Sequence, residues 1–207
     1  QNKFVYPAYT LQTRQMNESD KLAFYFDLNL ILGMLADADV RAVTGIPANA
    51  PRIELPANLV DCYLAGKVPR HPIDNLRQDF YQTVCQQVDR LPLEKRLLSL
   101  TAPTGLGKTL AGLSAALRLR QQVSQATGRT PRIIYVLPFT SIIDQNHAVF
   151  SNLLTQTGIS LDALLKHHHR SDPLANCCDG KRLTLQDYEK AQNRVETWEG
   201  EIVITTF

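Results

Sequence analysis

The stretch TAPTGLGKTL, residues 101 to 110, gathers the residue types that hold a phosphate chain. Gly105 and Gly107 let the backbone turn its N–H groups toward phosphate oxygens. Lys108 is long enough to reach the β and γ phosphates, and Thr109 offers a hydroxyl to Mg²⁺. Pro103, Thr104 and Leu106 complete the loop. A helix starting at its end adds the positive pole of its dipole. The flanks match what this chemistry needs: the apolar segment Leu97 to Thr101, read as a strand, comes before, and the Ala/Leu-rich segment Leu110 to Arg120, read as a helix, comes after. A glycine turn with an incidental lysine would require neither flank. One position departs from the general motif, which begins with glycine; here Ala102 stands in that place.

The next apolar run, RIIYVLPFTSIIDQ at residues 132 to 145, passes from a buried-strand pattern through Pro138 into a Ser/Thr-rich helix start. Thr140, Ser141 and the free N–H groups there, with Phe139 beside them, suit contacts to a sugar-phosphate backbone. The same residues also suit plain helix capping, with Ser141 and Asp144 at capping-box spacing. Thr205 and Thr206 end the last apolar run in a comparable way, although threonine is common at buried strand ends.

Two acids near the end of the first helical segment, Asp37 and Asp39, lie on opposite sides of a helix at about 100° per residue. The apolar stripe of Leu28, Ile31 and Leu35 has Asp39 near its centre line, so Asp39 is expected to be buried with a partner and Asp37 exposed. A capping or salt-bridged acid is the plainer reading. His167, His168 and His169 with Cys177 and Cys178 suggest zinc, but consecutive strand residues alternate faces and do not converge on one ion. A structural or nucleic-acid-proximal role is favoured there. Arg77 and Gln78 can be read as reaching an adenine edge or as polar residues on a solvated helix face.

The elements that must position these residues follow from periodicity. Helical spacing runs from Lys21 to Val43, with Asn17 or Ser19 as cap, and again from Ile73 to Val88. Between them stand Pro47, Pro51, Pro56, Pro69 and Pro72, a composition that reads as a linker with one short helix at Leu59 to Ala65. After them the apolar runs LLSLTA, RIIYVLP and EIVITTF alternate with helical patterns at 108–126, 141–155 and 183–196, which predicts a parallel sheet covered by helices. The 207 residues, 44% hydrophobic, can bury a sizeable core, and a formal charge of +2 gives no field strong enough to attract nucleic acid by itself. Four cysteines without C-x-x-C spacing fit reduced thiols and a cytoplasmic setting. The longest apolar run is too short to span a bilayer, so no membrane role is expected.

The loop from Ala102 to Thr109, with a small residue first and Thr-Gly in the middle, resembles that of superfamily 2 helicases. TAPTGLGKT, RIIYVLPFTSIIDQN, LKHHH and WEGEIVITTF stand in the order and spacing of the CRISPR-associated helicase-nucleases of type I interference systems. The resemblance implies an α/β fold with a P-loop (RecA-like) parallel sheet and flanking helices, preceded by the last helix of an all-α HD domain. It divides the chain into the end of an HD-type nuclease domain at 1–45, a linker at 46–72 and the N-terminal part of a helicase ATP-binding domain at 73–207. It implies ATP and Mg²⁺ at residues 103–109, with Lys108 and Thr109 in the catalytic role, and single-stranded DNA at Phe139, Thr140, Ser141, Thr205 and Thr206. It also implies a divalent transition metal at the HD site, held in part by Asp39, and recruitment by an RNA-guided CRISPR surveillance complex. An HD site needs further His and Asp ligands, and hydrolysis needs a carboxylate pair and an arginine; by resemblance the acidic motif is expected soon after Phe207. The chain alone is therefore expected to be inactive, and a nucleotide-binding sensor or scaffold without turnover stands as the alternative.

Overall fold

The computed structural model describes residues 16–45, 51–95, 97–167 and 185–206. The chain forms two units, Gln1–Ala50 and Pro51–Phe207. In the first, helix α1 spans Glu18–Thr44, one turn wider than its apolar periodicity. Asn17 caps it by accepting from the Asp20 N–H at 2.8 Å, and Gly45 ends it in the left-handed conformation with its N–H on the Arg41 carbonyl. No residue of α1 is buried, and its caps are joined by local pairs such as Arg41 with Asp37.

The second unit begins with helix α2, Leu59–Ala65, within the stretch expected to be a linker. The short helix lies where it was expected, but the surrounding chain does more than connect: Leu55, Leu59, Val60 and Tyr63 are buried in the main core. Prolines at intervals break long elements without preventing their neighbours from packing. Helix α3 spans Pro72–Asp89, with proline at its first position, where the missing N–H costs nothing. Helix α4 (Lys108–Thr127) leads to strand β1 (Ile133–Val136), helix α5 (Thr140–Gln156), a 3₁₀ turn at Leu161–Ala163, strand β2 (Leu164–His167), helix α6 (Leu185–Glu196) and strand β3 (Ile202–Thr205).

The three described strands form one parallel sheet in the order β1-β3-β2, with β3 between the two that precede it in sequence. Every residue of β3 is buried, as a strand covered on both faces requires. Ile133, Ile202 and Leu164 share a row, and on their face Leu113 and Leu117 of α4 and Ile143, Phe150, Leu153 and Leu154 of α5 close the core with α2. Each such side chain contributes about 1.5–3 kcal/mol on burial. On the opposite face α6 packs along β2, and Gly200 lies so close to Leu165 that an added Cβ would stand 2.8 Å from its Cβ. The outer edge of β1 has no partner among the described residues, and Ile134 and Val136 remain exposed there.

One strand expectation fails. Leu97 to Thr101 forms no strand, and Leu97 is 90% exposed. An apolar run becomes a strand only when a neighbour takes its backbone hydrogen bonds, and among the described residues none does. Two polar arrangements, one buried and one partly exposed, brace the unit. Glu201, at the entry to β3, is gripped by Arg52 and by Arg120 of α4, with Glu201 and Arg120 both almost fully buried. Burial pushes the Glu201 carboxyl up, but the Arg52 hydrogen bond and the charges of Arg52 and Arg120 outweigh it and hold the group below the usual carboxylate range. Behind α4, the Tyr81 hydroxyl donates to Asp61 at 2.7 Å and lies 2.9 Å from Ser114 Oγ, while Arg118 bonds Asp61 and Asp89. Burial raises the Tyr81 phenol far above its ordinary value, so it stays a neutral bridge between α2, α3 and α4.

Candidate functional site

The loop from Thr101 to Gly107 runs directly into α4, whose first residue is Lys108. Gly105 and Gly107 hold φ of 86° and 81°, the left-handed region that other residues enter only at a cost of about 1–2 kcal/mol. These two turns swing the chain around so that α4 starts with its N–H groups facing outward. No side chain caps this helix start, and among the described residues none accepts from the backbone N–H groups of Gly105 to Leu110. The first turn of α4 carries no acid to neutralise its positive end. Pro103, Thr104, Gly105, Gly107 and Lys108 are exposed, while Leu106 and Thr109 are half-buried.

Lys108 Nζ donates to the Ala102 carbonyl at 3.0 Å, closing the loop upon itself. Arg77 of α3 donates through Nε to the Gly105 carbonyl at 2.8 Å and through Nη1 to Asp74 at 2.9 Å. The N–H of Arg70 first, and then that of His71, holds the Asp74 carboxyl below its usual range, and Arg77 adds to this. Gln78 is exposed. A ring of unused N–H donors, a lysine and a threonine hydroxyl is the donor set that fits a polyphosphate with its divalent cation.

Gly112 in α4 lies against Tyr135 of β1, whose hydroxyl would be 2.9 Å from an added Cβ. Tyr135 is near the C-terminal end of its strand and Gly112 near the start of its helix, so the loop sits at the C-terminal edge of the sheet. In open parallel sheets that edge forms the ligand crevice. The register pairs Val136 with Thr205 and Thr205 with His167 in the last row, so Phe139–Ser141 and Thr206 leave the sheet from neighbouring strands at the same edge.

At α5 the helix start differs in detail from the capping-box expectation. Phe139 is the N-cap residue, no side chain bonds there, Ser141 lies inside the helix, and Asp144 pairs instead with Lys166. Phe139 and Ser141 are exposed and Thr140 is half-buried, leaving this start open to an anion. Thr205 is only 6% exposed, and its hydroxyl meets His167 Nδ1 at 3.2 Å. Of the two threonines, Thr206 is the one at the surface.

In α1 the order of the two acids is the reverse of the expectation. Asp39 is exposed, and Asp37 is half-buried beneath its ion pair with Arg41 at 2.8 Å. Leu28, Ile31 and Leu35 of the apolar stripe are exposed along with Asp39, whereas an i,i+4 arginine shelters Asp37. His168, His169, Cys177 and Cys178 lie outside the described residues; His167 packs 5.4 Å from the Trp198 ring. Among the described residues no group of three or more His, Cys, Asp or Glu is placed to hold a metal ion, and no helix is long and apolar enough to cross a membrane.

Sequence reasoning saw Arg77 but missed its partners; the Asp74–Arg77 spacing of three was the available signal. It missed the Arg52–Glu201–Arg120 cluster altogether. Residues 82–201, more than half of the chain, match the family model described as DEAD/DEAH box helicase. The chain is also 36% identical over 115 residues to the CRISPR-associated nuclease/helicase Cas3 of Haloferax volcanii. That alignment covers 54% of this chain and 12% of that protein's length, and it bears out the resemblance drawn from the motifs.

Proposed function

Since the chain belongs to the DEAD/DEAH box helicase family, we propose that it carries the ATP-binding part of a translocase that moves along single-stranded DNA in CRISPR interference, in the cytoplasm. The observation that carries this reading is the open ring of N–H donors from Gly105 to Leu110, set with Lys108 and Thr109 at the C-terminal edge of a parallel sheet. In this role Lys108 leaves the Ala102 carbonyl and turns to the β and γ phosphates, while the loop N–H groups hold the phosphate oxygens. Thr109 would hold Mg²⁺, which supplies charge neutralisation of the β and γ phosphates when bound. Phe139, Thr140, Ser141 and Thr206 would contact the DNA backbone at the same edge, and Thr205 would act by bracing the strand beneath Thr206.

We propose further, on the motif resemblance to CRISPR-associated helicase-nucleases, that the α1 unit belongs to a metal-dependent nuclease in which Asp39 would be one ligand of a divalent transition metal, and that an RNA-guided surveillance complex recruits the protein. The test of the nucleotide reading is Lys108→Ala. Its lysine is exposed and contributes charge to a ligand rather than packing, so ATP affinity should fall at least about tenfold while the melting midpoint holds. Unchanged affinity sinks the phosphate-loop assignment.

A further inference from the structure

The grip of α3 on the phosphate loop is built in two stages. Asp74 accepts from the N–H groups of Arg70 and His71 at 3.0 Å each, which fixes its carboxylate at the start of α3. One turn on, Arg77 bonds that carboxylate and reaches the Gly105 carbonyl. Gly105 sits at φ 86° with nothing within 4 Å of where a Cβ would be, so its peptide has room to turn over. In a trans peptide the carbonyl of one residue and the N–H of the next point in opposite directions. Holding the Gly105 oxygen toward α3 therefore holds the Leu106 N–H away from α3.

We propose that Arg77, anchored by Asp74, is the positioning residue of the phosphate loop, selecting the one orientation of the Gly105–Leu106 peptide that presents its N–H to a phosphate oxygen. This rests on the phosphate-loop reading above. Arg77 acts through the backbone and not on a base, so its influence falls equally on every ligand that carries a triphosphate. A residue that read the adenine edge would act on ATP alone.

Calorimetric binding of ATP and of inorganic tripolyphosphate, both with Mg²⁺, separates these outcomes when run on the parent chain, Arg77→Ala, Arg77→Lys, Asp74→Asn and Lys108→Ala, each with a melting curve. Arg77→Ala should weaken both ligands alike, by about tenfold, the scale of one charge-assisted hydrogen bond. Asp74→Asn should weaken both by a smaller common factor, and Arg77→Lys, which keeps the charge but has one donor nitrogen in place of the fixed Nε and Nη1 pair, should recover only part of the loss. Arg77 is about half exposed, so melting should be little changed. A loss confined to ATP overturns the inference in favour of base contact. Full recovery in Arg77→Lys overturns it in favour of a diffuse charge effect. Parent-like binding by Arg77→Ala while Lys108→Ala has lost binding also overturns it and leaves the phosphate-loop reading standing. Parent-like binding by Lys108→Ala removes that reading and this inference together.

Discussion

Asp37 and Asp39 stand two residues apart on one helix, yet substitution should affect them differently. Asp37 is spent on Arg41, a partly exposed i,i+4 pair that contributes about 0.3–0.5 kcal/mol, so Asp37→Ala should cost little and leave every activity in place. Asp39 is exposed and has no partner among the described residues, a carboxylate free for some other group. If it serves the nuclease metal, Asp39→Ala in the intact protein abolishes metal-dependent DNA cleavage and spares the ATPase; cleavage that survives removes Asp39 from the ligand set. The choice between these acids was legible only in part. Helix geometry separates them by about 200°, but which side faces protein depends on what packs there, and periodicity records the stripe without its partner. Arg77 shows the same limit. Its pairing with Asp74 is local, but its hold on Gly105, 28 residues on, exists only once α3 lies beside the loop.

Elements were read well where they carry their own signal. The amphipathic helices and the two Ile/Val-rich runs at β1 and β3 declare themselves by pattern, whereas Leu97–Thr101 has the pattern of a strand and, among the described residues, no neighbour that would make it one. The join between the 51–55 segment, α4 and β3 has no sequence signature, because Arg52 and Glu201 are 149 residues apart. Its energetic role is testable. Glu201→Gln leaves Arg120 buried without a counter-charge, which should cost about 3–5 kcal/mol in chemical denaturation. The pH dependence has a definite sign. The Glu201 carboxyl is lowered in the folded chain, so its contribution is complete above the unfolded value near 4.5 and is lost as pH falls through the lower folded value. The gap in stability between parent and Glu201→Gln should therefore narrow on acidification; a constant gap would show that the charge on Glu201 is not what matters.

For the molecule as a whole, binding and turnover should separate. The phosphate cradle is local to residues 102–109, but the strands end in Pro-Phe-Thr and Thr-Thr-Phe, neither of which supplies a pair of acids to orient water. This chain by itself should bind MgATP and show no ATPase above background, even with single-stranded DNA; loss of an arginine finger alone removes about 10³- to 10⁵-fold in rate. Turnover by the chain, abolished in Lys108→Ala, would falsify that division of labour. The sheet order has a further consequence, for the timing of synthesis. Among the described strands β1 and β2 are not paired with each other; each is paired by β3, which is made after both. At about 5–20 residues per second, β1 waits several seconds on the ribosome before β3 emerges to pair with it. Until then the sheet that α4 and α5 cover lacks β3, and the β1 edge that β3 later takes is open to pairing with another copy.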